Sequence, residues 1–252
     1  MTTKEKLYKY VLRIADDSLI LGQRLAEWCG HGPILEEDIA LTNISLDLIG
    51  QATNLLEFAS KLDNEKQSSD DLAFLRTENK FTNILMVEQP NKDFGYTMVR
   101  QFFFDTFRKL FYEQLTNSAD STLASIAAKS LKETKYHFKH SAEWVIRLGD
   151  GTEESKRRVS EAISFYWKYT DELFYQDEID YELIDLSIAF DLTDLKAAWL
   201  KTVNEVLTQA TIPLPSDRFE QKGGRKGTHS EHLGFLLAEM QYMQRTYPNS
   251  VW

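Results

Sequence analysis

The sequence predicts an all-α chain. Apolar residues recur at three- and four-residue spacings over long stretches. Glycine and proline fall mainly between those stretches, and few runs alternate with period two, so strands find little support. The flanking residues then place each helix. The first is expected over 5–28, stopping near Gly30-His31-Gly32-Pro33, and the second over 35–62. Lys61 to Asp71 is polar and reads as a loop. Ser68-Ser69-Asp70-Asp71 has the form of a capping box for a short helix.

Glu88-Gln89-Pro90-Asn91 reads as a turn before a third long helix over 94–116. The fourth is expected over 119–148, ending at Gly149-Asp150-Gly151. Thr152 then caps a fifth, to about 174, with Glu153 and Glu154 favourably placed in its first turn. Another helix follows Thr193-Asp194, to about 210. A proline-bearing linker from Thr211 to Arg218 leads to the basic loop Lys222-Gly223-Gly224-Arg225-Lys226-Gly227. Thr228-His229-Ser230-Glu231 reads as a second capping box, opening a final helix to about 246. No internal repeat or low-complexity tract appears, and residues 1–252 read as a single domain.

Bulk properties narrow the function classes. The chain carries 39 acidic against 29 basic residues, a formal charge of −10, which repels phosphate backbones and argues against nucleic-acid binding. Cys29 is the only cysteine, so no intrachain disulfide can form, which fits a reducing cytoplasm. Arg13, Asp16 and Asp17 interrupt the first apolar stretch, so it does not read as a signal peptide. No apolar run approaches the roughly 18 residues of a membrane span.

Long helices with short connections favour antiparallel neighbours and suit a ferritin-like helical bundle with additional C-terminal helices. That scaffold holds di-iron carboxylate sites, which need two Glu-x-x-His pairs and further glutamates. No Glu in this chain is followed by His three residues later. The scaffold is expected without that metal chemistry.

The fourth helix carries the sharpest candidate site. Leu123, Ala127, Ser130, Thr134, His137, Ser141, Trp144 and Leu148 share one face by spacing. Glu133 and His140 lie within about 60° of His137 on a helical wheel. A ligand cluster is one reading. A buried histidine bonded to Glu133 or to a neighbouring helix is the other, and the four-residue spacing of Glu133 and His137 favours it. On the second helix Asp47 stands where a bundle carboxylate ligand would sit. Its polar stripe (Glu36, Asn43, Asp47, Asn54, Glu57, Lys61) is rich in amides, poor iron ligands, and reads as the one wet face of a mostly buried helix. These four residues, Asp47, Glu133, His137 and His140, are vestigial metal candidates at most. The third helix is strongly aromatic, so it reads as core or interface, with Asp105 paired to Gln101 or Arg108.

His229 and His232 make a weak metal signal. In the basic loop, glycines can turn backbone amides toward an anion, and Lys222, Arg225 and Lys226 add charge. A coenzyme A phosphate or an acidic partner surface would suit it. As exposed cations, each should contribute only about 0–1 kcal/mol to folding.

The segments RLAEWCGHGPILEEDIALTNISLDLIGQA (24–52), KFTNILMVEQPNKDF (80–94), KETKYHFKHSAEWVIRLGDGT (132–152) and KGGRKGTHSEHLGFLLAEMQYMQR (222–245) resemble one subunit family of the bacterial phenylacetyl-CoA 1,2-epoxidase, the structural subunit lettered C. That enzyme is the ring-epoxidising multicomponent monooxygenase of phenylacetate catabolism. The resemblance implies a ferritin-like fold and heterodimers with the catalytic subunit that pair into a heterotetramer. The catalytic subunit holds the di-iron centre, and a reductase subunit delivers electrons from NADPH. This chain would bind no cofactor itself. The resemblance also implies that phenylacetyl-CoA is approached near Lys80, Phe81, Thr82 and Asn83, and near Tyr181, Glu182 and Leu183.

The expected function is thus a non-catalytic cytoplasmic subunit that stabilises the catalytic one, with a homodimer possible in isolation. Two other readings stay open: a self-sufficient metalloprotein using Glu133, His137 and His140, and a stand-alone acyl-CoA binding protein.

Overall fold

The computed structural model describes residues 1–216, 219–248 and 250; Asp217 and Arg218, the end of the expected linker, lie outside them. The helices are α1 (Thr3–Ala26), α2 (Leu35–Leu62), α3 (Ser69–Phe74), α4 (Phe94–Leu115), α5 (Ser121–Gly149), α6 (Glu153–Trp167), α7 (Glu178–Asp185), α8 (Thr193–Gln209), α9 (Glu231–Met240) and α10 (Tyr242–Thr246). Short 3-10 turns cover Glu78–Lys80, Thr170–Phe174 and Gly224–Lys226. No strand occurs among the described residues, and the fold is an all-α helical bundle of the ferritin-like kind.

The helix starts follow local chemistry. Reciprocal capping boxes open α1 (Thr2 with Glu5), α3 (Ser68 with Asp71), α6 (Thr152 with Ser155) and α7 (Asp177 with Asp180). Asp93 caps α4 and Asp120 caps α5. Packing then gathers the chain into two compact units, Met1–Pro90 with Gly223–Trp252, and Asn91–Lys222.

In the first unit α1 and α2 form an antiparallel hairpin. Gly22 seats the crossing: Ser45 Oγ donates to its carbonyl at 2.7 Å, and a Cβ there would stand 3.0 Å from Ile49 Cγ1. Val11, Ile14, Ile20, Leu21, Ile44, Leu48 and Leu55 fill the core, each contributing about 1.5–3 kcal/mol by leaving water. In the second unit α4 pairs antiparallel with α5 and is buried almost all round. Phe102, Phe103, Phe104 and Phe107 are at most 2% exposed. Trp199 of α8 donates its indole N–H to the Phe103 carbonyl at 3.0 Å and lies 5.7 Å from the Phe103 ring.

Several sequence expectations shift. The buried stripe of α5 follows Leu123, Ala127, Ser130, Thr134, His137 and Ser141, then moves to Val145 and Gly149 rather than Trp144 and Leu148. A run of four-residue steps, rather than alternating threes and fours, makes that drift. The open face of α2 is wider than expected and holds Leu35, Ile39 and Leu46, 52–71% exposed. Helix α7, only 8 residues long, is too short to show a clear period in sequence. The final helix divides at Gln241, and its cap is Ser230, not Thr228, with no side-chain capping bond.

Candidate functional site

Residues 80–89 follow α3 without an α-helix of their own, so their backbone groups need partners. Two adjacent acids on α1 supply them. Asp16 Oδ2 accepts from the Thr82 N–H (2.8 Å) and hydroxyl (3.0 Å), and Asp17 Oδ1 accepts from the Ile84 N–H at 3.0 Å. Both acids are fully buried, and each is balanced by an arginine. Arg76 pairs with Asp16 and lies over the Phe81 ring, 4.1 Å from its centroid.

The second arginine is Arg225, from the basic loop. Its guanidinium reaches Asp17 Oδ1 at 3.0 Å and Oδ2 at 2.8 Å, and also donates to the Thr82 and Arg13 carbonyls at 2.9 and 3.2 Å. Only 9% of its side chain is exposed, so the expected solvent-facing cation is turned inward. The loop amides are likewise turned on the loop itself, with Lys226, Gly227 and Thr228 donating to Gly223 or Gly224 carbonyls. The glycines serve close approach: a Cβ on Gly224 would collide with the Asn83 carbonyl, and one on Gly227 (φ 74°) would stand 2.6 Å from the Asn79 carbonyl oxygen. Lys226 is exposed. Lys222 is exposed in the second unit, 3.3 Å from Glu220.

Glu88 closes the same assembly. It is fully buried and accepts from His229 Nδ1 (2.8 Å), Asn83 Nδ2 (2.9 Å) and the Ser230 N–H (2.6 Å). That last bond explains the absent capping box: the Glu88 carboxylate takes the start of α9. His229 Nε2 faces the Phe81 carbonyl at 3.0 Å. Both ring nitrogens therefore meet acceptors, which favours the doubly protonated ring. Burial pushes its pKa down, but the hydrogen bond and charge of Glu88, with the Phe81 carbonyl, outweigh that and leave it raised. Arg24 adds a further tie, donating to the Glu88 and His232 carbonyls at 2.9 and 2.8 Å.

Two motifs far apart in sequence, 80–83 and 222–232, thus meet in the first unit through the residues from Gly223 onward. Of the former, Lys80 is exposed, Thr82 is half-buried, and Phe81 and Asn83 have no exposure. Phe81 and Asn83 hold the segment; Lys80 and Thr82 are its accessible groups.

In the second unit α4 and α5 enclose a polar core. Asp105 is 1% exposed; Gln101 Nε2 donates to its Oδ1 at 2.7 Å and Ser141 Oγ to its Oδ2 at 3.0 Å. Burial pushes its pKa up to about 7, against the opposing pull of His137, Ser141, Gln101 and Arg108. His137 is fully buried and acts on Asp105 of the neighbouring helix. Arg108, 1% exposed, lies 4.8 Å from the Phe104 ring centroid. Glu133 and His140 are half-buried, with the His140 ring stacked on Tyr136 at 6.2 Å. Asp47 lies half-buried on α2 in the first unit. Among the described residues no three His, Cys, Asp or Glu side chains gather as a metal-holding group.

The remaining candidates lie on α7. Tyr181 and Glu182 are exposed and Leu183 is buried. Tyr181 lines a cleft of about 450 Å³ with Phe174, Tyr175, Lys196 and Lys222. Sequence reasoning missed Asp16, Asp17 and Glu88, which organise the first unit. Acids inside the apolar stretch of α1 were the available signal for Asp16 and Asp17; Glu88 follows the apolar run Ile84–Val87 outside any helix.

These features define an all-α, ferritin-like protein whose buried Asp16, Asp17 and Glu88 are met by its own Arg76, Arg225 and His229. No described helix is long and apolar enough to cross a membrane. The model of the family described as "Phenylacetic acid catabolic protein" matches residues 1–252, and the chain belongs to that family. It is 47% identical over 247 residues to the 1,2-phenylacetyl-CoA epoxidase subunit lettered C of Escherichia coli (strain K12), covering 98% of this chain and 99% of that protein.

Proposed function

We propose that this chain is the non-catalytic structural subunit of a phenylacetyl-CoA 1,2-epoxidase, one that stabilises the catalytic subunit of that enzyme and helps to shape its acyl-CoA site. The polar core between α4 and α5 carries the reading. The face that would hold metal ligands on this scaffold offers one enclosed carboxylate, Asp105, already bonded to Gln101 and Ser141. Arg108 and His137 of the chain itself act on it electrostatically. A di-iron site needs several carboxylates and histidines with open lone pairs.

The catalytic subunit then holds the di-iron centre, and a reductase subunit supplies electrons from NADPH. The chain works in the cytoplasm as a heterodimer with the catalytic subunit, and heterodimers pair into a heterotetramer. Lys80 offers the CoA ester an ammonium, and Thr82, whose hydroxyl proton goes to Asp16, an acceptor oxygen; Tyr181 and Glu182 offer a second edge.

Co-expression with the catalytic subunit tests this reading. The two should co-purify, and the catalytic subunit with reductase and NADPH should epoxidise phenylacetyl-CoA efficiently only when this chain is present. Iron-supplemented expression of the chain alone should give well under one iron per chain. Full turnover by the catalytic subunit without this chain, or two irons in this chain, would overturn the proposal.

A further inference from the structure

In the Asn91–Lys222 unit two ammonium groups converge on one aromatic ring. Lys92 Nζ lies 3.7 Å from the centroid of Phe165 and 4.4 Å from that of Tyr96. Lys168 Nζ lies 4.8 Å from the same Phe165 centroid and 5.1 Å from that of Tyr169. The two nitrogens can be no farther apart than the 3.7 and 4.8 Å legs together, about 8.5 Å, where like charges repel.

The nearby acids are already committed. Asp93 Oδ1 caps α4 by accepting the Tyr96 N–H at 2.9 Å, and its Oδ2 meets Arg158 at 3.2 Å. Glu161 is held by Arg157 at 2.6 Å. Among the described residues neither ammonium makes a hydrogen bond or an ion pair. The backbone holds the arrangement at some cost: Lys92 has φ 55°, the left-handed region that a non-glycine residue rarely adopts. In a chain of charge −10, exposed Lys92 and half-buried Lys168 thus both lie against the Phe165 ring, which shelters their stems.

We propose that Lys92 and Lys168 form an oxyanion site that takes a phosphate monoester. A phosphate monoester carries about −1.5 to −2 charge at neutral pH and three acceptor oxygens, matching two ammoniums better than a single carboxylate does. Burial, then the charge of Lys168, lowers the Lys92 pKa, and a bound dianion relieves the second effect directly. The source is either free phosphate or the ribose phosphate of a CoA-type molecule. The CoA arm rests on the proposed function, whereas the inorganic phosphate arm does not.

The test uses the full chain with lysine side chains labelled at Cε for NMR. Inorganic phosphate is titrated at constant ionic strength, with chloride as control. The Lys92 and Lys168 signals should shift saturably while Lys135 on α5 stays still, and the titration midpoint of Lys92 should rise. Lys92→Met and Lys168→Met keep the apolar stems, and either should weaken binding by about tenfold or more. CoA and dephospho-CoA are then compared. Tighter binding of CoA identifies the ribose phosphate as the source; a response to inorganic phosphate with equal, weak CoA binding identifies free phosphate. The proposal falls if no saturable shift occurs, if chloride or acetate reproduces it, or if all lysines respond alike. Co-purification with the catalytic subunit is a separate readout, so either idea can fail alone.

Discussion

Replacing Arg225 by Met should destabilise the first unit far more than a surface charge would. Its partner Asp17 has no exposure, and without the guanidinium it still holds the Ile84 N–H but loses its balancing charge. The substitution also strips donors from the Thr82 and Arg13 carbonyls. Removing one member of a buried pair costs about 3–5 kcal/mol, against about 0–1 for an exposed cation. At 1.36 kcal/mol per factor of ten, that is roughly two to three and a half orders of magnitude in the opening equilibrium. Hydrogen exchange at the Ile84 amide reads it directly, because that N–H is held by Asp17. Asp17→Asn combined with Arg225→Met should recover at least about 1 kcal/mol relative to Arg225→Met alone, since no unpaired charge is then buried. A loss below about 1 kcal/mol, with unchanged Ile84 protection, would refute the inward placement of Arg225.

His229→Gln should remove a pH dependence. The folded-state pKa of His229 is raised, so its contribution is fully present below its unfolded value and is lost as pH rises through the folded value; melting curves across that window should flatten in the variant. For Asp105 the folded pKa is pushed up to about 7 from 3.8, so the unit binds more protons folded than unfolded between those values, and stability falls as pH rises through them. Asp105→Asn should level that slope, measured by denaturation at stepped pH. His137→Ala should cost about 1–3 kcal/mol through a small cavity and a lost charge partner, while epoxidation and assembly with the catalytic subunit persist. An assembled complex of normal stability without turnover would point instead to direct chemistry.

The helices were largely legible because caps and 3.6-residue periodicity are local. Helix α2 falls at 35–62, as the sequence predicts. The Ser68-Asp71 and Thr152 caps hold as well. What the sequence could not show depended on distant partners. Thr228-His229-Ser230-Glu231 has the composition of a capping box, but Glu88, 142 residues before Ser230, takes the Ser230 amide. Lys222, Arg225 and Lys226 look alike in sequence, yet Arg225 is turned inward against buried Asp17. Gly224 and Gly227 suggested an anion nest because glycine frees the backbone, and the structure uses that freedom to bring the loop against Asn79 and Asn83. Asp105 was half legible: its bond to Gln101 is local, whereas Ser141 and His137 come from α5.

The two units solve one problem in different ways. A buried carboxylate is costly unless paired and hydrogen-bonded. On a metal-holding bundle the cation would be the metal. Here Asp16 and Asp17 meet Arg76 and Arg225 and Glu88 meets His229, whereas at Asp105 burial outweighs the pull of His137 and Arg108. Guanidinium and imidazolium groups are fixed by their own stems, so this neutralisation needs no loading step. It also consumes the lone pairs that a metal would need, as the three bonds to Glu88 illustrate. A chain built this way gains defined loop geometry at 80–89 and 223–232. In the proposed role, defined loop geometry presents a fixed surface to a partner and its substrate. Loosening the strap at Asp17 and Arg225 should therefore weaken both folding and assembly with the catalytic subunit, whereas changing exposed Lys226 should leave folding intact.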